Sequence, residues 1–196
     1  MTNRNKSVRI LCIMALLALT FSSVGPFSLA YLLASHYSSN LLYRDSIYTY
    51  LHLQYNVFFS LALFALLFNY IEQRGIAADT RKVRAFTALL SATIIPTLFL
   101  SYLWHYPNIV IRIAAILGCI LLLALIISFV RLFATFKRVF AAHPFIKITG
   151  ILSMSAFMLK SLLQCGLVIH AMGNMVFGSR PIIIGYLHLV MLGFVS

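Results

Sequence analysis

Residues 48–71 read YTYLHLQYNVFFSLALFALLFNYI, a stretch of 24 residues without a charged side chain. An α-helix needs roughly 20 mostly apolar residues to cross a bilayer core of about 30 Å, so this stretch is long enough to span a membrane. Its first part nevertheless carries three polar side chains, His52, Gln54 and Asn56, at every second position. The stretch predicts a membrane-spanning helix with a polar feature near one end.

The whole chain has the composition of a membrane protein. Of its 196 residues, 62% are hydrophobic and 9% are charged, whereas a soluble domain is about 45–50% apolar and about 25% charged. We predict an all-α fold, a polytopic transmembrane bundle of six helices in which residues 1–196 form a single unit. The predicted runs are, in chain order, 10–35 with a kink at Pro26, 47–71, 86–104 with Pro96 near its middle, 108–136, 145–172 and 181–196.

The net charge of +12 comes mainly from basic residues that are concentrated in alternate loops. The basic residues before the first run and in every second loop are Arg4, Lys6, Arg9, Arg74, Arg81, Lys82, Arg84, Arg131, Lys137, Arg138 and Lys147. Cytoplasmic loops of membrane proteins retain Lys and Arg, so we predict a cytoplasmic N-terminus and a multi-pass protein of a bacterial inner membrane. Nucleic-acid binding would need these charges on one face of a soluble domain. The sequence offers no such domain, so we expect no nucleic-acid partner. The expected partners are the lipid bilayer and other membrane subunits.

The last apolar run is short. Its sixteen residues from Pro181 reach only about 24 Å as a helix, which is less than a full span. The run also ends without flanking basic residues, which cytoplasmic helix ends usually carry. We expect residues 1–196 to be the N-terminal part of a longer chain, and a short natural helix end is the alternative.

The histidines collect toward the predicted outer side of the bundle. Five of the six are placed there by the topology: His36, His52, His105, His170 and His188. Of these, His36 and His105 fit an ordinary membrane interface, where Trp104 and Tyr106 also belong. His52 and His188 lie deeper, within about two helical turns of the outer surface.

Other polar residues fall within the predicted spans. Asn56 shares a helix face with His52, whereas Gln54 points about 200° away. Lys160 and Gln164 share a face of the fifth helix, and Lys160 lies about 20 Å from the inner surface by helix rise. A lysine at that depth needs a water-filled cavity, a cluster of carbonyls or an anionic ligand. Gln54, Asn56 and Gln164 can equally be interhelical hydrogen bonds worth about 0.6–2 kcal/mol.

Imidazole is a ligand of iron and copper, and histidine is a common axial ligand of haem. His52 and His188 lie at one depth, and His170 would need only a modest shift to join them. The sequence therefore predicts haem or copper bound by His52 and His188, with His170 as a further candidate ligand. Because no carboxylate lies at this depth, a carboxylate-bridged di-iron site is excluded.

The layout of the runs, with YLHLQYN in the second and GYLHLVMLGF in the sixth, resembles the first half of the catalytic subunit of haem-copper oxidases and nitric-oxide reductases. In that family the second helix carries a low-spin haem ligand near its outer end, and the sixth helix carries the first copper ligand. The resemblance implies that His52 binds haem and that His188 binds copper or haem. The family's tyrosine four residues after the histidine is Leu192 here, so oxygen reduction is not implied.

Two hypotheses of function follow. The first is a haem-copper-type membrane subunit whose haem or copper site lies near the outer membrane face. The second is a transporter, or a structural membrane subunit without a cofactor. Neither hypothesis names a substrate, and the sequence does not decide whether the chain is an enzyme.

The topology can be tested with a reporter that is active only outside the cytoplasm. Because of the asymmetry of Lys and Arg in the loops, we expect activity for fusions after Ser39 and Gly178. Fusions after Ala78 and Ala142 should be inactive. The opposite pattern of activities would overturn the assigned orientation and the depths derived from it.

Overall fold

The computed structural model describes residues 3–36, 39–106, 108–140 and 144–195, the side chains of residues 3–5 and 170 excepted. The described residues are helical and contain no β-strand, which confirms the predicted all-α fold. The α-helices are α1 (Asn3–Ser22), α2 (Val24–Ala34), α3 (Asn40–Leu51), α4 (Phe59–Gln73), α5 (Thr80–Ala92), α6 (Ile94–Tyr102), α7 (Ile109–Phe140), α8 (Pro144–Gly166), α9 (His170–Gly178) and α10 (Arg180–His188). Two π-helical segments, π1 (His52–Phe58) and π2 (Leu189–Val195), continue α3 and α10.

Several of these elements join into helices of membrane-spanning length. Five are long and apolar enough to cross a bilayer, and they cover 6–34, 40–73, 80–102, 109–140 and 144–166. A sixth is added if the bent pair formed by α9 and by α10 with π2 counts as one span. The second helix begins seven residues before the predicted Ile47 because Ser39 caps it, accepting a hydrogen bond from the backbone N–H of Leu42.

Two of the spans are interrupted three residues before a proline. The break between α1 and α2 is at Ser23, ahead of Pro26, and the break between α5 and α6 is at Thr93, ahead of Pro96. Proline has no backbone N–H and its ring collides with the carbonyl of the residue four positions earlier. The first span is therefore interrupted next to Pro26, where the kink was predicted, and the third span is interrupted next to Pro96 in the same way.

The end of the fifth helix differs from the prediction. We predicted a helix to residue 172 followed by a loop, but α8 ends at Gly166 and a new helix begins at His170. Residues 167–169 close the end of α8 with backbone hydrogen bonds to carbonyls three residues earlier, the tighter pattern common at helix ends. The predicted glycine-bearing loop instead forms most of α9, which meets the following helix at an angle of 89°.

A cluster of phenylalanines fills the centre of the bundle. The ring of Phe64 in α4 lies 4.6–6.2 Å, between centroids, from six other phenylalanine rings. Those six are Phe68, Phe86, Phe129, Phe136, Phe157 and Phe194. They come from α4, α5, α7, α8 and π2, so a single aromatic core holds these elements together.

Helices α6 and α7 make an unusually close contact at Gly118. A Cβ atom added to Gly118 would lie 2.7 Å from the carbonyl oxygen of Pro96. Small residues allow membrane helices to approach in this way, and van der Waals contact then stabilises the pair. The position of α6 thus depends on the absence of a side chain at residue 118.

We expect Gly118→Ala to lower the free energy of unfolding by about 1–3 kcal/mol, because the added methyl group must push α6 away from α7. Denaturation in mixed detergent micelles would measure the change. The matched control is Gly185→Ala, since no atom lies within 4 Å of a Cβ placed there. Equal losses in both variants would contradict the close-packing explanation.

Candidate functional site

The polar stretch of the second span lies in π1. There the backbone N–H of Phe59 donates to the carbonyl of Gln54, five residues earlier, instead of four residues earlier as in an α-helix. A π-helical turn holds more residues, so it changes which side chains share a face. Such turns inside α-helices are frequent at functional sites. The irregular backbone therefore marks this region as the candidate site.

His52 begins π1 and is buried. Its Nε2 lies 3.1 Å from the carbonyl oxygen of Ile94, and a carbonyl only accepts, so Nε2–H is the donor. The hydroxyl of Thr97 lies 3.4 Å from the same nitrogen and donates instead to the carbonyl of Thr93. Nδ1 has no partner among the described residues. In the neutral ring Nδ1 is therefore an unused hydrogen-bond acceptor.

His188 has different surroundings. It is exposed, and its Nδ1 lies 2.8 Å from the carbonyl oxygen of Ile184 in its own helix. It does not line the cavity that His52 lines. The side chain of the third predicted ligand, His170, lies outside what the structure describes.

The predicted haem or copper site gains no support from these positions. His52 is buried at the cavity wall, whereas His188 is exposed and does not line that cavity, so the two rings do not face a common site. The described residues contain no group of three or more His, Cys, Asp or Glu that could hold a metal ion. The residues present do not fit a haem or copper ion held between the two rings, and that cofactor stays a prediction of the sequence alone.

Gln54 and Asn56 bond to different neighbours. The hydroxyl of Ser22, at the end of α1, donates to Oε1 of Gln54 over 2.8 Å. The hydroxyl of Tyr186 in α10 donates to Oδ1 of Asn56 over 2.5 Å. Both contacts are interhelical hydrogen bonds of the kind that the sequence left open, and the second one joins π1 to the bent pair at the end of the chain.

Sequence reasoning missed Tyr186. It lies two residues before His188, so the two side chains point about 200° apart around the helix. Histidine is the chemically richer residue, but the tyrosine is the one that faces π1. An apolar helix with polar residues at positions i and i+2 presents only one of them to the interior, and the partner helices decide which.

Lys160 is a buried basic residue within α8. Its side chain is 3% exposed, and its Nζ donates to Ser60 Oγ over 2.6 Å and to the carbonyl of Asn56 over 3.3 Å. Nζ also lies 5.4 Å from the ring centroids of Phe157 and Phe194, within the range of cation–π attraction. Lys160 forms no salt bridge within the described chain. A carbonyl is one of the partners predicted for Lys160. The hydroxyl of Ser60 and the two aromatic faces were not predicted.

A cavity of about 210 Å³ lies above this cluster, between π1, α6, α8 and the bent pair. Its polar lining includes His52, Asn56, Gln164 and Tyr186, and the rest of the wall is mostly apolar. Gln164 is one turn along α8 from Lys160, as predicted, and is buried at the cavity wall. A concave, mainly apolar space with a few converging polar groups is the usual form of a small-molecule site.

Aromatic rings close the cavity toward the predicted outer surface. Phe177 of α9 stacks on Trp104 with centroids 5.3 Å apart, and Tyr48 meets Phe177 edge-on at 4.9 Å. Tyr48 and Phe177 also line the cavity. The guanidinium carbon of Arg44 lies 5.1 Å from the Trp104 ring centroid. These contacts hold α9 over the cavity.

A hydrogen-bonded cluster around Asp45 supports this aromatic cover. His105 Nε2 lies 2.6 Å from one oxygen of Asp45, and the Tyr106 hydroxyl donates to the other over 2.9 Å. The hydrogen bond to Asp45 raises the pKa of the Tyr106 hydroxyl, so the phenol stays protonated at neutral pH. His105, Trp104 and Tyr106 are predicted to form a simple membrane interface, and the structure adds that they contact the first half of α3.

Comparison of the chain with protein-family models, with curated proteins and with solved structures finds no match. The resemblance to the haem-copper oxidase family thus stays a prediction. Conclusions about function depend on the geometry of the site itself.

The contribution of the hydrogen bond between Lys160 and Ser60 to stability can be measured by removing the hydroxyl of Ser60. We expect Ser60→Ala to lower the free energy of unfolding by about 1–3 kcal/mol, because a buried ammonium group loses a hydrogen-bond acceptor. Ser161→Ala is the matched control: Ser161 is equally buried but bonds only to the carbonyl of Phe157 in its own helix. Denaturation in mixed micelles gives both values.

Lys160→Met completes a double-mutant cycle. Removal of the buried charge should make Ser60→Ala nearly neutral, since the hydroxyl then has no ammonium group to serve. Similar costs for Ser60→Ala with and without Lys160 would show that the contact carries no energy.

Proposed function

We propose that this chain is a multi-pass protein of a bacterial inner membrane, with a cytoplasmic N-terminus, that transports a small and largely apolar molecule. The binding site is the cavity bounded by His52, Asn56, Gln164 and Tyr186, and no resident cofactor takes part. The observation that carries the proposal is the position of this cavity between a π-helical segment and a sharply bent helix pair.

The lining limits the chemistry of the ligand. A mostly apolar wall favours an apolar body, and a volume of about 210 Å³ is below the roughly 300–1,000 Å³ of sites for drug-sized ligands. The free acceptor on His52 Nδ1 favours a ligand with one donor, such as a hydroxyl or an amide N–H. The buried Lys160, bonded to the wall residue Asn56, disfavours a cation. The expected substrate is a small neutral molecule with one hydrogen-bond donor.

The irregular backbone favours transport over a purely structural role. Interrupted helices surround the binding sites of many secondary transporters, because their free backbone groups bind the substrate and their joints allow movement. A structural subunit would be more stable with this space filled, since cavities forfeit packing energy. Haem or copper binding between His52 and His188 is not favoured, because His188 is exposed and does not line the cavity.

Accessibility of the cavity from the two sides of the membrane tests the proposal. Ser101 lines the cavity, so Ser101→Cys can be combined with replacement of Cys12, Cys119 and Cys165 by alanine. A small, charged and membrane-impermeant thiol reagent is then added to right-side-out and to inside-out vesicles. We expect labelling from both sides, because a transporter opens its site alternately to each.

Ser128→Cys is the control, since Ser128 is buried in α7 away from the cavity and should remain unlabelled. Labelling of residue 101 from the outside only would indicate a binding protein without transport. Absence of labelling from either side would favour a structural subunit.

A further inference from the structure

A groove separate from the cavity lies at the basic end of the bundle, where α1 packs against α5. It has a volume of about 520 Å³ and contains the three basic side chains Lys6, Arg81 and Arg84. All three are exposed, and none forms a salt bridge within the described residues. The described lining contains no Asp or Glu. The nearby Asp79 caps α5, where its carboxylate accepts from the backbone N–H of Arg81.

Hydroxyl groups line the same groove closer to the middle of the membrane. Thr87 is 3% exposed, and its Oγ1 has no hydrogen-bond partner in the described chain. The hydroxyl of Ser91, one turn further along α5, is likewise buried and without a partner. Elsewhere in the spans, Thr93 and Thr97 donate to carbonyls of their own helix, which is how a helix usually satisfies such groups. The two hydroxyls of the groove are therefore unsatisfied within the described chain.

The side chains that line the groove change along α5 from basic to neutral and polar. Arg81, Arg84, Thr87 and Ser91 are spaced three or four residues apart, so they form one stripe on the helix. By helix rise, Thr87 lies about 4.5 Å and Ser91 about 10 Å beyond Arg84. Cationic groups lie at the mouth, and neutral hydroxyl donors follow at greater depth. The exposed Ile10 and Ala88 complete the groove with apolar surface.

We propose that this groove binds one anionic phospholipid. Its phosphate contacts Lys6, Arg81 and Arg84, and the ester carbonyls of its glycerol accept hydrogen bonds from Thr87 and Ser91. The acyl chains then continue along Ile10 and Ala88 into the bilayer. Basic pockets between helices on the cytoplasmic side of membranes bind anionic headgroups, and unpaired hydroxyls one to two turns deeper match the ester level of a diacyl lipid better than they match a free anion.

Lipid titration of the detergent-purified chain tests this site. Dioleoyl phosphatidylglycerol should raise the melting temperature by mass action, and dioleoyl phosphatidylcholine at the same concentrations should raise it much less. We expect Arg84→Gln to weaken the phosphatidylglycerol affinity by about fivefold, which is the size of effect typical for one basic residue near anionic lipid. Lys82→Gln is the matched control, because Lys82 is an exposed neighbour on α5 that does not line the groove.

The depth of the hydroxyls gives a second arm. Thr87→Val keeps the shape of the side chain and should weaken binding of the diacyl lipid without altering the response to inorganic phosphate. Ser91→Ala provides the same test at a position that tolerates a smaller residue. Equal losses in Arg84→Gln and Lys82→Gln, or a stabilisation by inorganic phosphate as large as that by the lipid, would overturn the proposal.

Discussion

The ammonium group of Lys160 is the constraint on which the middle of this protein depends. A charge buried in the hydrocarbon layer is stable only if the surrounding structure supplies polar or aromatic partners. Here the partners are the carbonyl of Asn56 in π1, the hydroxyl of Ser60 in α4 and the faces of Phe157 in α8 and Phe194 in π2. One side chain thus connects both π-helical segments to the fifth span. Both segments depart from α-helical geometry where they pack around it.

Pro96 affects how the third span packs against its neighbours. It interrupts that span between α5 and α6, and the close approach at Gly118 holds α6 against α7. The carbonyl of Ile94, just after the break, accepts the hydrogen bond from His52. This hydrogen bond sets the tautomer of His52 and leaves Nδ1 without a partner among the described residues.

The two halves of the bundle use their residues differently. Phenylalanine rings from five elements pack together on the side of Lys160 that faces the basic end of the bundle. Above Lys160 the spans separate around a cavity, which α9 covers through the stacked rings of Trp104 and Phe177. A rigid half joined to an open half is consistent with a protein that changes shape at one side of the membrane while the other side holds the helices together.

The sequence by itself determined the class of the fold. Runs of about 20 apolar residues specify membrane spans because the bilayer has a fixed thickness, and Pro26 indicated where the first span is interrupted because the effect of proline on the backbone is local. The polar positions inside the spans, His52, Asn56, Lys160 and Gln164, also follow from the sequence, since polar residues are rare in such runs.

The tertiary structure decided how those residues are combined. Rotation of each helix about its axis places Tyr186 rather than His188 against π1, and it gives Lys160 the hydroxyl of Ser60 as a partner. The sequence does not fix these rotations, because a helix that is apolar all round has no preferred face until its neighbours pack against it. The turn that ends α8 at Gly166 is likewise not fixed by the sequence, and the stacking of Phe177 on Trp104 of another span holds α9 over the cavity. A similar predicted depth for His52 and His188 does not by itself make their side chains neighbours.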